Sequence, residues 1–311
     1  MNSMINTPLK NSESTVDREM ALLMQQSIAP NTVKAYQHAL KKLHTWLDAN
    51  GFQPDHLTDE IVAKYITALY ADGKAPATIT IVVAAIKWQA ANAGVNDVVG
   101  ELTDKTLTGI RRAGGERGRG QVDGLTWDDV ERVCELAEAE KTIAGLRDSA
   151  LIRLMSDCLL RISEAVAVNV EDLGENALIV QRSKEDQEGN GTTLFVGVPT
   201  VEVIERYRAA GSIKAGPLFR RVRRGDRMTR DRLGVNGARL AIKTRARAAG
   251  MEGFISGHSL RLGSAVSLAQ AGASIADMQV AGRWKEPRMP VHYAKAELVE
   301  QGGIARFKYD K

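Results

Sequence analysis

The chain has 311 residues, 44% hydrophobic and 26% charged, which is the balance of a folded globular protein with length enough for two separate cores. No uninterrupted apolar run approaches the roughly 20 residues needed to span a bilayer, and Met1 to about Asp17 is polar, without the cationic start and apolar stretch of a signal peptide. A membrane partner is therefore not expected and the cytoplasm is the expected location, while a formal charge of +4 and a pI near 9.0 favour an anionic partner.

Beyond a flexible N-terminus over residues 1–17, Val33, Tyr36, Leu40, Leu43 and Leu47 recur at three- and four-residue steps. They form the buried stripe of a helix that Asn31 can cap and Ala49-Asn50-Gly51 ends. Lys34, His38, Lys41 and Lys42 fall on the opposite face, so this helix packs inward and offers cations outward. A second helix is expected over Thr58 to Ala71, and a third follows Pro76 with Ile79, Val82, Val83, Ile86 and Ala90 inward. A shorter fourth runs from Thr103 to Arg112. No strand-like alternation interrupts them, so residues 18–113 read as a small helical bundle.

The segment 114–124 is dense in glycine and lacks any apolar period, which marks a linker. Its cations Arg117 and Arg119 would suit a strap along a phosphate backbone, although a solvated linker explains them equally well. In the second domain, residues 125–311, Thr126 can cap a helix from Trp127 to Ala139, and another from about Ile143 to Leu160 delivers Arg161. Ala177 to Val180 and Thr193 to Val198 favour strands, with Glu185 to Gly191 as the turn and Lys184 at the hairpin's inner end. Helices return over Val201 to Ala210, over Val235 to Ala249 and in the segments that follow. The fold class is mainly α with a small β-sheet.

Arg220, Arg221, Arg223, Arg224, Arg227, Arg230 and Arg232 form the clearest basic cluster, against which a solvated surface loop competes. Cys134 and Cys158 stand apart in apolar contexts, with neither metal-ligand spacing nor a disulfide framework, and are expected to be buried and inert.

Arg161 emerges from a mostly apolar segment, where a guanidinium needs a partner such as Glu164 or a bound anion. His258 and Arg261 lie at i and i+3 in Ser256-Gly257-His258-Ser259-Leu260-Arg261, on one face of a starting helix, and helix starts present free N–H groups to anions. Leu160-Arg161-Ile162-Ser163-Glu164, Arg182-Ser183-Lys184, Gly257-His258-Ser259-Leu260-Arg261, Ala281-Gly282-Arg283-Trp284 and His292-Tyr293 together resemble, in this order, the active-site motifs of the tyrosine recombinases, the phage integrase family. The one departure is Trp284, where the family usually carries histidine and one branch carries tryptophan. The resemblance implies a helical DNA-binding domain and an α+β catalytic domain that close as a clamp around DNA. It further implies a site-specific recombinase working through a 3′-phosphotyrosyl intermediate, with no metal or other cofactor. The implied partner is double-stranded DNA with inverted half-sites, on which a free monomer assembles into a homotetramer.

The chemistry fits those residues. The planar forks of Arg161 and Arg261 match two phosphate oxygens where lysine would not. Lys184 can protonate the leaving 5′ oxygen and His258 can take the proton of the nucleophile, Tyr293, whose phenolate is itself a leaving group, so the covalent link is reversible. Glu164 would orient Arg161, while Trp284 either donates its indole N–H to phosphate or packs the nucleophile's helix. Lys34, Lys41, Lys42, Arg117, Arg119, Arg220, Arg221, Arg223 and Arg224 are the candidate DNA contacts. A single-duplex type IB topoisomerase, a hairpin-telomere resolvase and a catalytically silent DNA-binding regulator are the competing functions. The apolar tail residues Leu298, Val299, Ile304 and Phe307 suit docking onto a neighbouring protomer, against which a helix folded back on its own domain competes.

Overall fold

The computed structural model describes Glu19 and residues 28–53, 56–117, 122–181 and 191–293. Lys184, Arg119, the N-terminal segment 1–17 and the tail from Glu297 to Phe307 lie outside them. The chain divides into two compact units, Met1–Gly120 and Gln121–Lys311.

The first unit contains α1 (Pro30–Ala49), α2 (Asp59–Ala71), α3 (Pro76–Asn92) and α4 (Glu101–Ala113). Helix α1 begins one residue before Asn31, with proline in the first turn, where its fixed φ and missing N–H cost nothing. Its stripe Ala39, Leu43 and Leu47 joins Val62, Tyr65, Ile66, Ile79, Val83, Ile86, Leu107 and Ile110 in one core. Asp59 ties two helices together, because its carboxylate accepts from the N–H groups of Gly100 (2.8 Å), Leu102 (2.9 Å) and Thr103 (3.1 Å) at the start of α4.

The second unit holds α5 (Trp127–Ala139), α6 (Ile143–Asp157), α7 (Ile162–Ala167), the hairpin β1 (Ala177–Val180) with β2 (Thr192–Phe195), and α8 (Val198–Ala210). The hairpin β3 (Arg220–Arg223) with β4 (Arg227–Arg232) follows, then α9 (Val235–Ala248), α10 (Gly257–Gln270), α11 (Ile275–Gly282) and α12 (Arg288–Tyr293). Both hairpins are antiparallel two-stranded sheets. Helix α6 is the axle of the core, buried from Leu151 through Met155. It also buries charge, each group paired: Asp148 lies 2.6 Å from Arg147 and 2.9 Å from Arg245, and Arg153 lies 2.5 Å from Glu131. Cys134 and Cys158 are buried, and burial pushes both thiols up to about 12.

Three elements differ from expectation. Helix α6 stops at Asp157 rather than Leu160, because Leu159 adopts a left-handed φ of 45°. Strand β2 ends at Phe195 and gives way to α8, which already contains Pro199 in its first turn. The arginine cluster is a β-ribbon rather than a loop. Val222 opposite Met228 supplies its inward face, and Asp226 at its turn caps α6 by accepting from the N–H of Ile143 (2.7 Å) and Ala144 (2.9 Å).

Candidate active site

The left-handed turn at Leu159 follows the end of α6, and α7 starts three residues on, which makes Arg161 the N-cap of α7. Three residues later Glu164 curls back. One carboxylate oxygen accepts from the Arg161 backbone N–H (2.9 Å) and the other from the Arg161 guanidinium (2.9 Å). The Glu164 side chain is 4% exposed. Burial alone would raise its pKa, but Arg283 and the Arg161 donors outweigh that and hold it below the ordinary carboxylate range.

Helix α10 starts against this turn. Ser256 caps it, accepting from the His258 N–H at 3.2 Å, and Gly257 has no room for a side chain because Ile162 packs on it. Further along, the bare backbone of Gly263 lies against the Leu125 carbonyl. That seating aims His258 and Arg261 to the same side. Arg261 is 1% exposed. Its two terminal nitrogens donate to the carbonyls of Leu159 and Gly282, and its Cζ sits 4.5 Å from the centroid of the Trp284 ring. Carbonyls at both ends and an aromatic face are what make a buried guanidinium tolerable.

Helix α11 closes at Gly282, and Arg283 follows in the left-handed region with φ 53° and ψ 45°. This turn drops Trp284 into a small apolar cluster with Leu159, Ala265, Ala269 and Met278, with Tyr293 packed against it. Gly282 must stay bare, since the Trp284 ring occupies the place of a β-carbon there. At the end of α12 the Tyr293 hydroxyl is 2.9 Å from His258 Nε2, with the rings edge to face at 5.7 Å and 65°. The Trp284 ring lies 5.7 Å from that of Tyr293.

Desolvation lowers the His258 pKa, and the charges of Arg261 and Arg161 lower it further, although the residue as a whole is exposed. The imidazole is therefore neutral at pH 7 and can accept a proton. Tyr293 is raised by burial, with Arg261 and Arg161 pulling the other way. The phenol is thus protonated at neutral pH and needs a base at the moment of attack. The phenol of Tyr207, by contrast, is fully buried in the core, its hydroxyl accepting from the Arg220 N–H at 3.0 Å.

The structure thus brings Arg161, Glu164, His258, Arg261, Trp284 and Tyr293 together. Sequence reasoning passed over Arg283, whose guanidinium reaches Glu164 at 2.8 Å; its place between Gly282 and Trp284 inside a motif was the available signal. Among the described residues, no three His, Cys, Asp or Glu side chains gather as metal ligands would. Of the candidate DNA contacts, Lys34, Lys41 and Lys42 are exposed on α1, and Arg221, Arg223 and Arg224 are exposed on the ribbon. Arg220 is engaged elsewhere, its guanidinium donating to the carbonyls of Pro217 (3.0 Å) and Ala215 (2.6 Å). Arg117 donates to the Tyr70 carbonyl at 2.6 Å and stacks over the Tyr70 ring, 4.1 Å from its centroid.

Comparison with known proteins agrees with this geometry. The chain is 28% identical over 296 residues to an integrase/recombinase XerD homolog of Selenomonas ruminantium, covering 90% of this chain and 84% of that protein. It is 23% identical over 332 residues to the recombinase Cre of Escherichia phage P1, covering 98% and 97%. Its fold matches a XerH site-specific recombinase in a post-cleavage complex with palindromic difH DNA, at TM-score 0.66 and 16% identity over 88% of this chain and 79% of that one. It also matches a lambda integrase dimer bound to a core site, at TM-score 0.62 and 16% identity over 90% and 93%. Residues 19–88 match the N-terminal SAM-like domain of phage integrases. Residues 124–298 match the phage integrase family itself, and the chain therefore belongs to that family, the tyrosine recombinases.

Proposed function

We propose that this protein is a site-specific DNA recombinase that cuts and rejoins strands through a 3′-phosphotyrosyl link at Tyr293. The observation that carries the reading is the 2.9 Å contact between His258 Nε2 and the Tyr293 hydroxyl, beside a nearly buried Arg261 and a carboxylate-held Arg161. Tyr293 Oη attacks the scissile phosphorus while its proton passes to His258. The new O–P bond forms as the bond to the 5′ oxygen breaks, and Lys184 supplies that oxygen's proton. Arg161 and Arg261 spread the charge that grows on the non-bridging oxygens. Glu164 holds the Arg161 fork, and Trp284 supports Arg261 and Tyr293 from below. The reaction balances without metal or nucleotide cofactor, because the energy of the broken diester is kept in the phosphotyrosine.

DNA is bound by Lys34, Lys41 and Lys42 on α1 and by the exposed ribbon arginines Arg221, Arg223 and Arg224, with Arg117 and Arg119 on the segment 114–124 between the two domains. The structural neighbours include a lambda integrase tetramer on a Holliday junction. By analogy this chain assembles as a tetramer on inverted half-sites, working in the cytoplasm; among the described residues no helix is long and apolar enough to cross a membrane. A nicked half-site from the flanking DNA, incubated with the protein in EDTA, should yield a denaturation-resistant adduct with the wild type and none with Tyr293→Phe, which should still bind. An adduct that persists in the variant, or one that forms only with added metal, would overturn this mechanism.

A further inference from the structure

Arg283 occupies a position that costs it twice. Its backbone is left-handed, with φ 53°, a conformation that crowds any Cβ and ordinarily falls to glycine. Its side chain is only 10% exposed, and its Nε and Nη1 are buried without a hydrogen-bond partner among the described residues, so most of the guanidinium has lost water and gained little. Neither fact describes a residue kept for stability. What the arginine does make is one directed contact, from Nη2 to Glu164 Oε2 at 2.8 Å. Glu164 in turn holds Arg161 through Oε1 at 2.9 Å. The carboxylate is thus gripped from two segments of chain, and the same turn supplies the Gly282 carbonyl to Arg261 and the Trp284 ring beneath it.

We propose that Arg283 is a positioning residue of the cleavage site, fastening Glu164 so that this carboxylate presents the Arg161 guanidinium to the scissile phosphate. The inference rests on the recombinase reading above. Around Glu164 the charged groups are Arg161 from its own helix start and Arg283 from the turn after α11. Removing Arg283 leaves burial, which favours the protonated acid, opposed by Arg161 alone. The folded-state pKa of Glu164 then rises, so the ionised form is lost at a higher pH as the solution is acidified.

The test uses full-length protein with Arg283→Gly, Arg283→Met, Arg283→Lys and Glu164→Gln. Single-turnover cleavage of a nicked half-site should fall about a hundredfold in the glycine and methionine variants, as expected when a supporting contact lets a reacting group drift, while half-site binding holds. The acid limb set by Glu164, distinct from the one set by His258, should move to higher pH, Arg283→Lys should recover most of the rate, and adding Glu164→Gln to Arg283→Gly should cost little more than the worse single change. In parallel, urea unfolding of the DNA-free variants followed against pH should show a smaller loss of stability on acidification without Arg283 than with it, because the share due to Glu164 scales with how far its folded pKa lies below the unfolded one. The unfolding measurement stands even if the wild type forms no adduct, a result that would sink the recombinase reading. Wild-type cleavage with an unmoved acid limb in both Arg283→Gly and Arg283→Met, or fully additive losses with Glu164→Gln, would overturn the role of Arg283. So would unfolding profiles that coincide with the wild type.

Discussion

Replacing Trp284 separates packing from hydrogen bonding at the nucleophile. The ring is 8% exposed, lies 4.5 Å from the Arg261 guanidinium carbon and 5.7 Å from the Tyr293 ring, and its indole N–H makes no hydrogen bond to a described residue. Trp284→Ala removes a buried ring from a cluster that includes Leu159, Ala265, Ala269 and Met278, a change that costs about 3–5 kcal/mol. It also strips the face from under Arg261, an interaction worth about 0.5–2 kcal/mol. Trp284→Phe keeps a ring in that place, so its stability loss should be only about 1–2 kcal/mol. If the ring acts by holding Arg261 and Tyr293 in position, the alanine variant should cleave about a hundredfold more slowly than wild type. The phenylalanine variant should stay within about tenfold, since it keeps the packing and gives up only the N–H. Urea unfolding gives the stability term, and single-turnover cleavage on saturating DNA, at a temperature where each variant is folded, gives the rate. Equal rate losses in both variants would refute the packing argument and assign the effect to an indole N–H on phosphate. A wild-type rate in the alanine variant would remove Trp284 from the site altogether.

The base at the nucleophile makes a signed pH prediction. Burial, then Arg261 and Arg161, lower the His258 pKa from 6.5, so the neutral imidazole persists to lower pH than usual and cleavage should fall only as pH drops below that value. His258→Gln should remove this limb, whereas a limb at or above the ordinary histidine value would argue against His258 as the proton acceptor. The ribbon predicts a split between binding and stability. Alanine at Arg221, Arg223 and Arg224 should reduce the salt slope of DNA binding by about 0.9 for each phosphate left without its arginine and leave urea unfolding nearly unchanged. Arg220→Ala, which unties the Pro217 and Ala215 carbonyls, should lower stability instead.

Most helices were legible because their apolar residues keep a helical period and their starts carry a cap or a proline. Thr126 before Trp127 is such a case, and there the expected capping bond is present. The premature end of α6 was not legible. Cys158-Leu159-Leu160 continues the apolar run, and nothing local requires Leu159 to turn left-handed. The turn is explained only by Arg261, 102 residues later, which takes the carbonyl that the turn exposes. The ribbon was hidden because arginine masks a strand's alternation. Val222 and Met228 face inward, but two apolar residues among so many cations give too weak a period to read. The site residues themselves stood out by motif. What pairs Glu164 with Arg283 is an ion pair across 119 positions, which no local pattern encodes.

The two acceptors of Arg261 explain how a fully buried cation can be stable here. Gly282 is the last residue of α11, and Leu159 lies just beyond the end of α6. Carbonyls at helix C-termini lack intrahelical partners and carry the negative end of the helix dipole. Arg261 therefore serves two helix ends at once, and in return is desolvated against groups that welcome positive charge. Arg161, by contrast, is held by the Glu164 carboxylate. After burial, Arg261 is the first charge acting on both His258 and Tyr293, ahead of Arg161. The fold thus places a positive charge beside His258 and Tyr293, and the ends of α6 and α11 hold it there.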